Sequence, residues 1–169
     1  MNMLDTVVCL PRLKELFAML DVKLSEINFE INNSSDPETD GLFDKSEYFV
    51  GVGLVAAQQF LVEAASFSNI DKDNAYKLGP RHRSGIAYAT AINSAANYWK
   101  HEAEWWGGLD EIKSGTLKTL NHVGTIADTH HYQLSNFIFA VSNNKEVKLI
   151  YLIPIITEWF NSVKNSKYV

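Results

Sequence analysis

The stretch from Gly79 to Trp106, with the sequence GPRHRSGIAYATAINSAANYWKHEAEWW, constrains the fold more than any other part of this chain. Gly79-Pro80 indicates a turn, and Ser84 is a good N-cap because its hydroxyl accepts a hydrogen bond from the first turn of a helix. The residues after Ser84 contain no proline and are rich in alanine, the best helix former. Gly107-Gly108 indicates the end of this helix. We therefore expect a long central helix.

The pattern of apolar residues predicts which face of this helix is buried. At about 100° per residue, one face carries Tyr88, Ala91, Ile92, Ala95, Trp99 and Trp106, and the other carries Thr90, Asn93, Asn97, Lys100 and Glu104. Glu102 falls among the apolar positions, so we expect it to be hydrogen-bonded or paired. His101 lies at the edge of the polar face. It is either an ordinary exposed residue or a residue that does chemistry together with a second group.

The run Ala96-Asn97-Tyr98-Trp99-Lys100-His101, inside an all-helical chain, resembles the HEPN superfamily of small helical bundles. The RNases of that family carry an Arg, usually followed by a polar residue, and a His a few residues later. They cleave RNA without metal at a dimer interface. Asn97 matches the polar position and His101 matches the His, whereas Ser94, Ala95 and Ala96 occupy the positions open to the Arg. The resemblance implies that an RNase would use His101 and Asn97, and that the missing Arg argues against catalysis.

The rest of the chain predicts an all-α fold, a single-domain bundle of about five to six helices over residues 1–169. Pro11 fits the first turn of an N-terminal helix, and a second helix is expected from about Ser46 to Ser68. Residues 69–83 read as a loop, and a shorter helix is expected from Thr116 to Ala127. Asp128 is a candidate cap for the segment that follows. Residues 137–153 fit helices, which we favour, or a hairpin.

Acidic residues are concentrated in the first part of the chain. Residues 1–47 carry ten acids and four bases, whereas the whole chain has a net charge of −5. The loop expected at residues 32–44 and the start of the second helix hold Asp36, Glu38, Asp40, Asp44 and Glu47. These five acids are either a solvated surface or a patch that binds a partner. Because no broad basic surface is present, we do not expect direct nucleic-acid binding.

Several classes of site and location lack support in the sequence. His122, Asp128, His130 and His131 do not have the spacing of a helical His pair, so no metal site is predicted, and no motif indicates a cofactor. One cysteine, an acidic N-terminus and short apolar runs favour a cytoplasmic protein without a membrane segment.

Three functions remain open. The first is a non-enzymatic binding protein of the antitoxin or immunity type that neutralises a basic protein partner, such as a toxic nuclease. The second is an RNase of the HEPN type that uses His101. The third is a homo-oligomeric assembly subunit, for instance a homodimer formed through the small residues Ala89, Ala96 and Ala103.

Overall fold

The computed structural model describes residues 3–105 and 114–166, with the side chains of residues 3–8 outside that description. Within these ranges the regular structure is helical, and the one β-feature is an isolated bridge between Arg81 and Ala87. The helices are α1 (Met3–Asn33), α2 (Leu42–Phe67), α3 (Lys72–Ala75), α4 (Tyr88–Trp105), α5 (Ser114–Ala127), α6 (Gln133–Val141), a 3-10 turn (Leu149–Tyr151) and α7 (Leu152–Asn165). The all-α prediction is confirmed. Residues 137–153, which also fitted a hairpin, hold the end of α6, the 3-10 turn and the start of α7.

Helix α2 is the centre of the bundle, with α1 and α4 packed against it and α6 and α7 also in contact. Val50, Leu54 and Leu61 are fully buried in α2, and Phe17 and Ile92 bury the facing sides of α1 and α4. Gly51 lies directly against the indole of Trp99, with no room for a Cβ atom between them. This close approach of α2 and α4 places the first half of α2 beside the second half of α4.

α2 is also the one described helix that is long and apolar enough to cross a membrane. Its most apolar window has a mean hydropathy of 1.4, and half of that window is buried inside the fold. A helix at the centre of a bundle meets the same criterion, because burial on several sides requires apolar residues all round. Localisation in the cytoplasm stays a prediction.

The central helix buries part of the predicted face, but it also buries Ala89, Ser94, Ala96 and Tyr98, and it begins later than predicted. Ile92 is fully buried, and Tyr88 and Trp99 are half-buried against the core. Ser84 does not cap the helix, which begins at Tyr88. Ser84 lies instead in a tight turn, where its hydroxyl contacts His82 Nδ1 at 2.9 Å and the His82 N–H donates to the Ile86 carbonyl. The positive φ of 86° at Gly85 permits this turn.

Other boundaries also differ from the prediction. α1 begins at Met3, so Pro11 lies inside the helix instead of in its first turn. α2 begins at Leu42, because Gly41 takes a left-handed φ of 67° and turns the chain directly into the helix. Residues 72–75 form α3 within the segment expected to be a loop. Trp106 and the Gly107-Gly108 helix stop lie outside the described residues.

The carboxylates of Asp21 and Glu47 tie distant elements together. Asp21, which is 8% exposed, accepts hydrogen bonds from the N–H groups of Leu149 (2.7 Å) and Ile150 (3.0 Å), and so anchors the 3-10 turn to α1. Asp128 does not cap α6: it has a positive φ of 55°, and Tyr132 occupies the N-cap position. The cap comes from Glu47 of α2, as described below.

Candidate functional site

A cavity of about 470 Å³ opens between the start of α2, the end of α4 and the loop before α6. Three carboxylates line it: Asp44 and Glu47 from α2, and Glu102 from α4. Four aromatic rings complete its walls, those of Tyr48, Tyr98, Trp99 and Tyr132, and His130 and His131 lie at the loop side. We call this cavity the acidic–aromatic pocket.

Helix periodicity explains how short segments supply these groups. Asp44, Glu47 and Tyr48 are spaced i, i+3 and i+4, so α2 presents them on one face. Tyr98 and Glu102 are likewise one turn apart on α4. The contact between Gly51 and Trp99 then holds the two faces together. The pocket is therefore built on two long helices, which are more rigid supports than loops.

Glu47 forms the inner wall of the pocket and also caps α6. Its Oε1 accepts from the Ser135 N–H at 2.6 Å, and its Oε2 accepts from the Leu134 N–H at 3.0 Å. Burial raises the pKa of Glu47 despite these hydrogen bonds, and the charge of Glu102 raises it further. Both oxygens of Glu47 thus accept hydrogen bonds within the fold, and its predicted role in binding a partner stays a prediction.

Glu102 has the hydrogen-bond partner that its position on the apolar face required. Its Oε1 accepts from the Tyr98 hydroxyl at 2.9 Å. Burial and the neighbouring Glu102 carboxylate raise the pKa of the Tyr98 phenol, which keeps it protonated as a donor. Trp105 packs edge-on against Tyr98 with ring centroids 5.8 Å apart. The second oxygen of Glu102 remains available to a ligand, because one hydrogen bond does not saturate a carboxylate.

The aromatic rings that line the pocket differ in exposure, since Tyr48 is exposed whereas Tyr98 is buried. Tyr48 and Trp99 meet edge to face with centroids 5.7 Å apart, and Tyr48 is 59% exposed. Tyr132 packs against Phe43 at 4.9 Å on the other side of the opening. Ring faces attract cations, and carboxylates beside them add a full negative charge. This combination suits an organic cation such as a Lys or Arg side chain.

The acidic loop, residues 34–41, continues from the pocket along the surface. Asp36, Glu38 and Asp40 are exposed. The Thr39 N–H and hydroxyl both donate to the Asp36 carboxylate, at 3.1 and 2.7 Å, so the loop has a defined turn. The Tyr132 hydroxyl lies 3.5 Å from Glu38 Oε1, which joins the loop to the rim of the pocket. Four of the five predicted acids, Asp36, Glu38, Asp40 and Asp44, are thus exposed. Asp44 lines the pocket, and Glu38 contacts Tyr132 at its rim.

The two residues assigned to the RNase alternative have other partners. His101 is exposed, and its Nδ1 lies 3.2 Å from Glu104 Oε2. Asn97 Oδ1 accepts from Gln58 Nε2 at 2.9 Å, in a polar network that joins α2 and α4. Arg81 precedes α4, which begins at Tyr88, and His101 lies thirteen residues after Tyr88 on that helix. The helical rise between Tyr88 and His101 is about 20 Å. The fold does not bring Arg81 to His101.

The histidines considered for a metal site are separated. His122 on α5 contacts Ser94 Oγ through Nδ1 at 2.9 Å, whereas His130 and His131 lie at the acidic–aromatic pocket. Across residues 3–105 and 114–166, no group of three His, Cys, Asp or Glu residues could hold a metal ion.

The aromatic half of the pocket was not predicted from the sequence. The i, i+3, i+4 spacing of Asp44, Glu47 and Tyr48 was the available signal, since it places two acids and a ring on one helix face. Comparison with family models, with curated proteins and with solved structures gives no match to this chain. The likeness to HEPN proteins remains a resemblance of one helical segment.

Proposed function

We propose that this protein binds a basic protein partner through the acidic–aromatic pocket and the acidic loop, as a neutraliser of the antitoxin or immunity type. The observation that carries the proposal is the convergence of Asp44, Glu47 and Glu102 with four aromatic rings around one open cavity. Three carboxylates beside aromatic rings form a poor site for an anion or a neutral sugar. They form a good one for a cationic side chain.

An arginine of the partner fits this pocket better than a lysine. Its planar guanidinium stacks on an aromatic face while its N–H groups donate to a carboxylate. Asp44 is exposed at the mouth, and Glu102 uses one oxygen on Tyr98, so both offer acceptors. Arginine and aromatic residues also dominate the energetic centres of protein interfaces. The pocket would hold the anchor, and the remaining interface would surround it.

The acidic loop has a different part in the proposal. Asp36, Glu38 and Asp40 lie on the surface beside the pocket, so their charges attract a basic partner before contact is made. A nuclease is a suitable partner class because it binds the nucleic-acid backbone through a basic surface. A protein that covers this surface would block substrate binding without any chemistry of its own.

A titration with small probes tests the pocket without knowledge of the partner. We expect N-acetyl-arginine amide to shift the NMR signal of the Trp99 indole, and the citrulline analogue, which is uncharged and nearly isosteric, to leave it unchanged. The double variant Asp44→Asn/Tyr48→Ala should lose the response, whereas Glu15→Gln on the exposed face of α1 should keep it. Equal responses to arginine and citrulline would overturn the assignment of the pocket to a cation.

Native co-purification from the source cell then tests the partner class. We expect a basic protein whose retention depends on Asp44 and Tyr48, and whose nuclease activity falls when the complex forms. An acidic partner, or one retained equally by the double variant, would contradict the proposal. Both experiments use the full chain.

Self-assembly is a second candidate function, favoured by a different observation. Met19, Val22 and Phe29 share one face of α1 and are 68%, 62% and 70% exposed. The small-residue stripe considered from sequence is unsuitable, because Ala89 and Ala96 are 1% and 0% exposed inside the core. If α1 mediates a homodimer, sedimentation should give a dimer that Phe29→Ser converts to a monomer. A monomer at all concentrations would remove this candidate.

A further inference from the structure

A second cavity, of about 490 Å³, lies between α3, the turn at residues 80–87, α4 and α5. Its lining includes the cationic residues Lys77, Arg81 and Lys118, together with His122. Asp73 is the only acid among the described residues that line it. We call it the basic cleft. Such a concentration of positive charge is notable in a chain with a net charge of −5.

The turn before α4 fixes Arg81 at the edge of this cleft. One terminal nitrogen, Nη1, donates to the Gly85 carbonyl at 2.8 Å, and the other, Nη2, donates to the Lys77 carbonyl at 2.7 Å. These two bonds use two of the five N–H groups of the guanidinium, so three remain for a ligand. A guanidinium held in this way loses little conformational entropy when it binds an anion.

The opposite wall of the cleft comes from α5. Lys118 and His122 are one helical turn apart, and Lys118 is exposed. The Nδ1 of His122 contacts the hydroxyl of Ser94 on α4 at 2.9 Å, which fixes the orientation of the ring. Arg81 of the turn and Lys118 of α5 therefore line the same cleft, together with residues of α4.

We propose that the basic cleft binds a phosphate-bearing small molecule. A phosphate group accepts several hydrogen bonds at once and matches the paired donors of a guanidinium. The volume lies within the range of small-molecule sites, about 300–1,000 Å³. A long nucleic acid fits less well, because the acidic excess of the chain would repel its backbone beyond the cleft. The cleft shares no residue with the acidic–aromatic pocket, so this inference does not depend on the proposed function.

Calorimetry and NMR titration of the full chain at constant ionic strength test this site. The probes are inorganic phosphate, adenosine monophosphate and adenosine, the last being the matched neutral compound. We expect the monophosphate to bind with shifts centred on the Gly85 and Thr90 amides, phosphate to compete with it, and adenosine to give no response. Binding of adenosine as tightly as the monophosphate would overturn the proposal, as would the absence of binding by both phosphate compounds.

Matched variants assign the binding to the cleft. Lys118→Gln removes one charge from an exposed position and should weaken monophosphate binding about tenfold, the loss expected for one charge-assisted hydrogen bond. Lys14→Gln removes the same charge from the exposed face of α1 and should leave the affinity unchanged. Arg81→Gln should abolish binding, but it also disturbs the turn, so Lys118→Gln decides the question. Equal affinity in Lys118→Gln and Lys14→Gln would show that the site lies elsewhere.

Discussion

Glu47 combines two roles at the scale of a single residue, since it lines the acidic–aromatic pocket and caps α6. Sequence patterns could not reveal the cap, because Glu47 and Leu134 are 87 residues apart. The partner of Glu102 was easier to anticipate, since Tyr98 precedes it by one helical turn. Local geometry follows from helix periodicity, whereas a contact between distant segments requires the fold.

The raised pKa of Glu47 gives a prediction for stability against pH. The pKa of Glu47 in the folded protein lies above the ordinary value of 4.5. Between these two pKa values, the folded state therefore binds more protons than the unfolded state. The contribution of Glu47 to the free energy of unfolding is therefore greatest below pH 4.5 and falls as the pH rises through the folded-state pKa. Gln does not titrate, so the destabilisation caused by Glu47→Gln should shrink as the pH rises.

Chemical denaturation of the wild type and of Glu47→Gln, from below pH 4.5 up through the folded-state pKa, measures the difference in their free energies of unfolding. Glu15→Gln, on the exposed face of α1, controls for the general effect of removing one acid. If the cost of Glu47→Gln instead grew with pH, the hydrogen bonds from Leu134 and Ser135 would outweigh burial, and the pKa would be lowered.

At the scale of the elements, the packing of α2 on α4 depends on Gly51. A Cβ atom at this position would overlap the indole of Trp99, so Gly51→Ala should destabilise the fold by about 1–3 kcal/mol. The displaced ring would also narrow the acidic–aromatic pocket, which Trp99 lines. Gly115→Ala is the matched control, because a Cβ there meets nothing within 4 Å and alanine favours a helix.

Thermal unfolding of Gly51→Ala, Trp99→Leu and the double variant tests this contact. Because leucine is smaller than tryptophan, we expect the double variant to be more stable than the sum of the single effects predicts. Additive effects would mean that Gly51 and Trp99 do not determine each other's packing.

The sequence predicts which elements exist better than where they begin. Apolar periodicity is sufficient to identify α2 and α4, because each buries a continuous stripe. Their starts depend on turns that compete with helix. At Ser84 the competing structure is the turn stabilised by Arg81 and closed by the bridge to Ala87. Within the candidate site, the acids were identifiable from the sequence. The contact between Glu38 and Tyr132 was not identifiable, because it joins the acidic loop to the start of α6, which is distant in the sequence.

At the scale of the whole molecule, the proposed function predicts that the purified protein has no ribonuclease activity on single-stranded or structured RNA. The reason is that His101 is paired with Glu104, Asn97 is bonded to Gln58, and Arg81 lies near the other end of α4. The measurement is cleavage of labelled RNA at high protein concentration with chelator present. Activity that disappears in a folded His101→Ala variant would favour the HEPN-type RNase instead.

The acidic loop and the acidic–aromatic pocket should affect different rates of partner binding. Charges on the exposed acidic loop act over about 8–10 Å at physiological salt, so they affect the rate of encounter more than the lifetime of the complex. Replacing Asp36, Glu38 and Asp40 with Asn or Gln should slow association and flatten its dependence on salt. The pocket variant Asp44→Asn/Tyr48→Ala should instead speed dissociation, because it removes contacts to the anchored side chain.

Surface-based binding kinetics with the co-purified partner, at low and high salt, distinguish these effects. Glu15→Gln and Lys14→Gln, on the exposed face of α1, are the controls for net charge. The first raises it by one unit and the second lowers it by one unit. An unchanged association rate in the loop variant would leave the acidic loop as a solvated connector. An unchanged dissociation rate in the pocket variant would place the anchor elsewhere. Because the two surfaces are adjacent but built on different elements, each result bears on one of them alone.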